Sequence, residues 1–421
     1  MANDTSIGFN NPFIALRHKN FRLYWIGMCI SLIGTWMQNI AQPWLAYSLT
    51  DSPLLLSLVG VLQFLPMLLF SLFAGVIIDR FSRKKILLVT QSASLVVTLA
   101  LAILVWLGHV QYWHILVAAT ALGFVNTLDM PTRQAFVIEM VGKEDLMNAI
   151  ALNSSVFNIA RILGPALAGL VMSFFGIAAC FYINSISFLS VILVLFFINP
   201  LSIQVTHNMR DSLMENIKDG LRYIKNNDLI FKMILTVLIV GTFSMNFSVL
   251  VPVFTNVVLN QGESGFGFLM SFMGVGSFIG AIFVATFSRS GPKSFILYSF
   301  PFFIAAFLIF TGFTHSFVFA ALGLAATGFF FVSFSTTANT IVQFNTEDRY
   351  RGRVMSVYTL VFGGSVPIGN LFSGLITDYF GPSVGFIVCG VMVFLSLILL
   401  LAMFKFHHPK TNYENQNETK P

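Results

Sequence analysis

Long apolar stretches alternate with short polar segments along almost the whole chain. A helix needs roughly 20 apolar residues to cross the hydrocarbon core of a bilayer. Twelve stretches meet this requirement, near residues 22–49, 53–78, 86–108, 113–138, 146–175, 177–198, 231–259, 265–288, 294–312, 316–344, 353–378 and 382–405. Proline stands at several of the breaks, as at Pro53, Pro292 and Pro382, where it favours the first turn of a new helix. The pattern predicts an all-α integral membrane protein with twelve transmembrane helices.

One polar interruption is longer than the others and divides the chain in two. The division predicts an N-terminal six-helix bundle (1–198), a cytoplasmic linker (199–228), a C-terminal six-helix bundle (229–408) and a disordered cytoplasmic tail (409–421). Apolar residues recur at helical spacing within the linker, which predicts an amphipathic helix on the membrane surface. These residues are Met209, Leu213, Ile217, Leu221 and Ile224. The helix is either a simple tether or a regulatory surface.

The two halves resemble each other when the sequence is shifted by 205 positions. The shift pairs Gly75 with Gly280, Gly123-Phe124 with Gly328-Phe329, Gly164 with Gly369, Gly169-Leu170 with Gly374-Leu375, and Phe175-Gly176 with Phe380-Gly381. A parallel repeat of two six-helix units implies two bundles around a central cavity, which is the geometry of rocker-switch transport.

The positions of lysine and arginine predict the orientation in the membrane. Every second connection carries cations, whereas the connections near residues 50, 110, 176, 262, 314 and 380 contain no Lys or Arg. Cytoplasmic loops carry the excess of Lys and Arg in membrane proteins. We therefore expect a multi-pass protein of the cytoplasmic (cell) membrane with both termini and the linker on the cytoplasmic side.

Composition narrows the possible classes of function. Hydrophobic residues make up 56% of the chain and charged residues 10%, against about 25% charged in soluble domains. The net charge of +6 follows from the clustered loop cations, so no nucleic-acid partner is expected. The three cysteines lack the spacing of metal ligands, and no motif of an ATPase or hydrolase occurs. The sequence predicts a non-enzymatic monomer without metal or cofactor, whose partners are lipid and a small molecule.

Two motifs stand at defined places in the predicted helices. The connection after helix 2 reads Gly75-Val-Ile-Ile-Asp79-Arg80-Phe-Ser-Arg83-Lys84. Helix 5 contains Gly164-Pro165-Ala-Leu-Ala-Gly169, in which small residues allow close packing and proline allows a bend. We expect this hinge to approach helix 8 at its Gly276-x-x-x-Gly280 segment.

The first motif resembles the signature of the major facilitator superfamily at each defining position. The helix 5 motif is similar to that of the superfamily's exporters, and together with Asp129-Met-Pro-Thr-Arg133 it resembles the branch of enterobactin exporters and macrolide-efflux proteins. The resemblance covers nearly the whole chain and implies the major facilitator fold. Asp79 could face the N-terminus of helix 11 and act as a latch of the inner gate. The alternative is that the motif only anchors the topology.

Charged side chains within the predicted helices are the next candidates. Arg161 lies about 22 Å along helix 5, at ~1.5 Å per residue, and a cation at that depth needs a partner or a wet cavity. Asp129 on helix 4 is the nearest acid, although Arg133 competes for it and Glu139 lies nearer the inner surface. Arg161 is therefore part of an anion-attracting site or a proton-linked switch, or else of a permanent ion pair with Asp129. Asp129 is also the best-placed candidate for proton coupling.

Neutral amides among Phe and Met complete the set of candidate cavity residues. They are Gln38, Asn39, Gln42, Asn126, Asn246, Asn339 and Gln343. Such walls suit a bulky, partly apolar ligand, whereas each single amide can instead form a hydrogen bond between helices. The sequence predicts an exporter of a lipophilic drug-like or siderophore-like molecule. The alternatives are an importer of a small nutrient and a membrane sensor or scaffold without transport.

Overall fold

The computed structural model describes residues 12–198, 213–288 and 291–404, and within these ranges it is helical without strands. A short 3₁₀ helix (Ile14–Arg17) precedes fourteen α-helices in those ranges. They are α1 (Lys19–Thr50), α2 (Pro53–Arg80), α3 (Arg83–Trp106), α4 (Tyr112–Val141), α5 (Leu146–Phe175), α6 (Ile177–Phe197), α7 (Leu213–Asn226), α8 (Asp228–Ser244), α9 (Phe247–Val257), α10 (Glu263–Phe287), α11 (Ser294–Phe313), α12 (Phe317–Phe344), α13 (Asp348–Phe380) and α14 (Pro382–Phe404).

Eleven segments of the described chain are long and apolar enough to cross a membrane, with α8 and α9 forming one of them. They correspond to eleven of the twelve predicted stretches, and the first stretch is the exception. That stretch is α1, which has 32 residues and therefore sufficient length. It contains the three amides Gln38, Asn39 and Gln42, which lower its mean hydropathy.

The seventh predicted helix is interrupted rather than continuous. It ends as α8 at Ser244 and resumes as α9 at Phe247. The Asn246 amide donates a hydrogen bond to the Thr242 carbonyl at 3.0 Å, within this break. Gly369 of α13 lies against the Thr242 carbonyl and the Asn246 side-chain oxygen, where a larger side chain would clash. The backbone of α13 therefore approaches the point at which the helix is broken.

Helix contacts fall into two groups along the chain. Within α1–α6, α1 packs on α5 and α6, α2 on α4, and α3 on α4 and α6. Within α8–α14, α10 packs on α12, α11 on α12 and α14, and α13 on α8. We call these groups the N-terminal and C-terminal halves. Their main contacts with each other are α2 on α13 and α5 on α10.

The amphipathic helix predicted in the linker is α7, and it docks on the start of α13. Asp219 accepts a hydrogen bond from Arg353 at 2.9 Å. The rings of Tyr223 and Tyr350 stack with centroids 4.6 Å apart. The predicted apolar residue Met209 lies outside the described residues, as do the rest of 199–212 and the tail 405–421. The described part of the linker is thus held against the C-terminal half.

Candidate functional site

The two halves touch at one end of the molecule, along α2 and α13. We call it the cation-free end, because it holds the connections near residues 50, 110, 176, 262, 314 and 380; the opposite end is the basic end. The Ser52 hydroxyl donates to the Asp378 carboxylate at 2.8 Å, and the Leu54 N–H donates to the same oxygen at 3.3 Å. Further along the helices, Gly374 lies against Ser57.

A second contact between the halves is formed by α5 and α10. The Ser271 hydroxyl donates to the Ile162 carbonyl at 2.7 Å. Gly267 lies directly against the Pro165 carbonyl and the backbone of Gly169, so any larger side chain at residue 267 would clash with backbone. The small residues of the helix 5 hinge therefore allow this close approach.

The eighth predicted transmembrane helix is α10, and its expected approach to α5 is present. The glycines that make this contact are not the two predicted from the sequence. Gly276 and Gly280 face α12, where they lie against the carbonyls of Ala325 and Phe329. Gly267 and Gly274 make the contact with α5 instead, Gly274 lying against the Arg161 carbonyl. The reason is helical geometry: Gly267 and Gly274 are two turns apart and share a face, while Gly276 lies about 200° further round.

Toward the basic end, α2 and α13 separate. Gly364 is near the Leu68 side chain, and beyond this point a cleft of about 350 Å³ lies between the two helices. Residues of both helices line it: Phe64, Met67, Leu68 and Ser71 of α2, and Met355, Ser356, Thr359 and Leu360 of α13 among others. On α5, Met147 and Ile150 are 82% and 50% exposed. The surfaces between the halves are therefore open toward the basic end.

The gate motif lies beside this opening. Gly75 is exposed, and a methyl group there would meet nothing within 4 Å, so this glycine makes no close helix contact in this arrangement. The reason is that α2 has already diverged from α13 at that level. Asp79 lies in the last turn of α2, but its side chain is outside the described part of the structure. Arg80 is exposed.

The other two cations of the motif bind within the N-terminal half. Arg83 forms an ion pair with Glu139 at 2.7 Å and also donates to the Ala135 carbonyl at 3.2 Å. The Lys84 ammonium donates to the Ile198 carbonyl at 2.7 Å. These contacts tie the start of α3 to α4 and to the end of α6.

Asp129 is buried among polar groups of α3 and α4. One carboxylate oxygen accepts hydrogen bonds from the Thr90 hydroxyl at 2.6 Å and the Gln91 amide at 2.8 Å. The other oxygen pairs with the Arg133 guanidinium, which also contacts the sulfur of Met28. The predicted ion pair between Asp129 and Arg161 is therefore wrong for this structure. Arg133 lies one turn after Asp129 on the same helix face, so it reaches the carboxylate without crossing to another helix.

Arg161 has a different environment. Its guanidinium donates to the Asn158 side-chain oxygen at 2.8 Å. Its Nε is buried and has no hydrogen-bond partner. No carboxylate of the described residues lies within ion-pair distance of it. The sequence left three interpretations of Arg161 open: an anion-attracting site, a proton-linked switch and a permanent ion pair with Asp129. The described residues contain no such ion pair.

The candidate cavity amides divide into two sets. Asn39, Asn126 and Gln343 are exposed, and Gln343 donates to the half-buried Asn339 at 2.6 Å. Gln38, Gln42 and Asn246 are at most 4% exposed, so their assignment to a cavity wall is wrong for this structure. Their side chains lie on helix faces that pack against other helices. The side-chain oxygen of Gln38 accepts hydrogen bonds from Thr98 at 3.2 Å and Asn184 at 2.5 Å, which joins α1 to α3 and α6.

The segment before α1 is fastened to the start of α5 at the basic end. Arg17 and His18 contact the Asp145 carboxylate at 2.9 and 2.7 Å, and the Asn148 side chain accepts from the Ala15 N–H at 3.0 Å. The hydrogen bond with His18 and the charge of Arg17 hold the pKa of Asp145 below its usual value. The ionised carboxylate is therefore the form that holds the segment.

We expect Asp145→Asn to release residues 12–18 at neutral pH. Because the pKa of Asp145 is lowered, the contact is present above the ordinary aspartate pKa of about 3.9 and is lost as the pH falls through the lower folded value. A nitroxide attached to the cysteine of Phe13→Cys, in a background without other cysteines, reports the mobility of this segment by electron paramagnetic resonance. Glu144→Gln removes a neighbouring exposed acid and serves as the control. Equal mobility in Asp145→Asn and the wild type would contradict the assignment.

Several polar contacts of the candidate site were not predicted from the sequence. Thr90 and Gln91 were not connected with Asp129, and Ser52 was not connected with Asp378. Asn158 could have been found, because it stands three residues before Arg161 on the same face of one helix. The others come from helices distant in sequence, and no local spacing marks them.

Known proteins resemble this chain over nearly its whole length. The model of the transmembrane secretion effector family matches residues 10–421. The staphyloferrin A transporter of Staphylococcus aureus is 27% identical over 384 residues, which cover 90% of this chain and 94% of that protein. Macrolide efflux protein A of Streptococcus pyogenes is 22% identical over 388 residues, covering 90% and 95%. The similarity to efflux proteins agrees with the branch predicted from the motifs.

Solved structures share the fold. The nucleoside transporter NupG superposes with a TM-score of 0.75 at 13% identity, covering 92% of this chain and 100% of that one. A bacterial homologue of the lysosomal transporter Spinster superposes with a TM-score of 0.71 at 11% identity, covering 96% and 99%. With eleven segments of the described residues long and apolar enough to span a membrane, and a family match over almost all of the sequence, the chain is a multi-pass membrane protein that belongs to the transmembrane secretion effector family of major facilitator transporters.

Proposed function

We propose that the protein exports a lipophilic drug-like or siderophore-like small molecule by alternating access. The observation that carries the proposal is the asymmetry between the two ends. The halves touch at the cation-free end, at Ser52–Asp378 and Gly169–Gly267, and are separated by a cleft at the basic end. A rocking motion that closes the cleft and parts these contacts would expose the same cavity to the other side.

The proposed arrangement in the membrane has twelve spans. Besides the eleven apolar segments, α1 is the twelfth, because it is long enough and packs on α5 and α6. The spans form two six-helix bundles, 1–198 and 229–408, joined by a cytoplasmic linker at 199–228. The distribution of Lys and Arg supports a cytoplasmic basic end and cytoplasmic termini. The cleft then faces the cytoplasm, from which an exporter collects its substrate.

The gate and the coupling belong to the same proposal. The eleventh predicted transmembrane helix is α13. Asp79 latches α2 to the N-terminus of α13 when the inner side closes, since a carboxylate is stabilised near a helix N-terminus. Asp129 is the proposed site of proton coupling, because it is a buried acid of α4 that accepts hydrogen bonds from Thr90 and Gln91 of α3. Asn39, Asn126, Asn339 and Gln343 are the proposed polar groups of the cavity. The transporter is proposed to act as a monomer.

The direction of transport is supported by the relatives and tested in cells. Macrolide efflux protein A and the multidrug efflux pump Tap of Mycolicibacterium fortuitum are both named for efflux. Cells lacking the protein should accumulate some members of a panel of toxic amphipathic compounds several-fold more than complemented cells. Leu399→Ala, at an exposed apolar position of α14, is the control variant and should restore efflux. Lower accumulation in the deleted cells would indicate an importer, and no change for any compound would favour a sensor or scaffold.

A further inference from the structure

Arg161 carries a positive charge that the described residues do not neutralise. Its one hydrogen-bonding partner there is the neutral amide of Asn158, and its Nε is buried without an acceptor. The other two arginines embedded in the N-terminal half each contact an acid, Arg133 with Asp129 and Arg83 with Glu139 at 2.7 Å. An unpaired cation in a poorly solvated site is costly. The neighbourhood of Arg161 is therefore suited to an anion that the chain does not supply.

The position of Arg161 on α5 is where the two halves diverge. Residues 147, 151, 154, 158 and 161 follow one another at helical spacing and form one stripe of α5. Next along this stripe, Pro165 and Gly169 pack against Gly267 of α10. Toward the basic end, Met147, Ala151 and Ser154 are exposed. Arg161 thus stands at the apex of a wedge that opens toward the basic end.

The opposite wall of this wedge is apolar. Gly274 of α10 lies against the Arg161 carbonyl, so the two helices are still in close contact at this level. Phe278 and Ile282 follow at helical spacing on α10 and are 37% and 48% exposed. A ligand in the wedge would therefore meet a guanidinium and an amide on one side, and an aromatic ring and an aliphatic side chain on the other.

We infer that the wedge between α5 and α10 binds an amphipathic organic anion, with its carboxylate or phosphate on Arg161 and its apolar part against Phe278 and Ile282. This inference rests on the proposed transport function and names the class of its substrate. A guanidinium binds such groups through two parallel hydrogen bonds, so the unused Nε is a donor of the required kind. The same chemistry could come from a solute or from an anionic lipid headgroup. Arg161 lies about 22 Å from the start of α5, too deep for a headgroup in an undistorted bilayer, which favours the solute.

Binding can be tested on the purified full-length protein in an uncharged detergent. The probes are 1-naphthoate, its uncharged analogue 1-naphthamide, and inorganic phosphate. We expect naphthoate at saturating concentration to raise the Tm by about 2 °C or more, and naphthamide to leave it unchanged. Arg161→Gln should abolish the shift, Arg161→Lys should retain part of it, and Lys143→Gln, which removes an exposed cation of the basic end, should retain all of it. Equal shifts with Arg161→Gln and the wild type, or no shift with either anion, would overturn the inference.

Two further experiments distinguish a soluble anion from a lipid headgroup, and a failure of the anion site from a failure of the transport proposal. If phosphatidylglycerol in mixed micelles stabilises the wild type but not Arg161→Gln, and neither soluble anion does, the site binds lipid and the assignment of a substrate is overturned. In cells, Arg161→Gln should lose efflux of anionic compounds of the panel several-fold more than efflux of neutral ones. Binding of naphthoate without efflux of any compound would count against the transport proposal while leaving the anion site in place.

Discussion

Asp129→Asn should destabilise the protein by roughly 3–5 kcal/mol, the cost of breaking a buried ion pair by removing one partner. Asparagine keeps an oxygen for the hydrogen bonds that Asp129 accepts from Thr90 and Gln91, so the substitution isolates the loss of charge. What remains is the Arg133 guanidinium, which is largely buried and has lost its carboxylate. We expect the Tm of the purified protein to fall by on the order of 5–10 °C.

The partner can be identified by a double-mutant cycle. Arg133→Met removes the stranded charge while keeping a long apolar side chain, so Asp129→Asn and Arg133→Met together should be more stable than the sum of the single effects. Arg161→Met combined with Asp129→Asn is the matched control and should be additive, because no ion pair joins these residues. Coupling in the control cycle and additivity in the first would mean that Asp129 pairs with Arg161 in the membrane.

A cross-link between residues 52 and 378 should stop transport completely and reversibly. The Ser52 hydroxyl and the Asp378 carboxylate are 2.8 Å apart, so cysteines at these positions would bring two sulfurs close to bonding distance. Alternating access requires α2 and α13 to part at the cation-free end, and a disulfide there would hold the present state. Oxidation of Ser52→Cys/Asp378→Cys should reduce efflux to the level of deleted cells, and a reductant should restore it.

The lock needs a background in which Cys29, Cys180 and Cys389 are replaced by alanine, because the introduced pair must be the sole source of disulfides. A protease site inserted between residues 199 and 212 makes the bond visible, since the two fragments stay together on a non-reducing gel when it has formed. Ser52→Cys alone, oxidised in the same way, is the control and should transport normally. Full transport by protein that runs as one cross-linked species would refute the motion proposed for this end.

Much of this protein could be predicted because its solvent is lipid. A bilayer demands long apolar helices whose backbone bonds are satisfied internally, so eleven spans and their approximate ends are readable from hydropathy. The linker helix was readable for a related reason: the spacing of Leu213, Leu221 and Ile224 is a property of one short segment, and α7 occupies Leu213–Asn226. The gate and hinge motifs, which are also local, indicated the superfamily and its efflux branch.

The partner of each polar residue was decided by the tertiary structure. Successive residues of a helix point about 100° apart, so small differences in rotation and packing determine whether a side chain meets a neighbour, the cleft or lipid. Gln38 therefore binds Thr98 and Asn184 rather than lining a cavity. Likewise Gly267, and not Gly276, meets the hinge of α5. Arg161 shows the limit most clearly. Its depth follows from counting residues along one helix, but the absence of an acidic partner among the described residues depends on which way the Asp129 side chain points. That direction is set by the packing of α3 against α4.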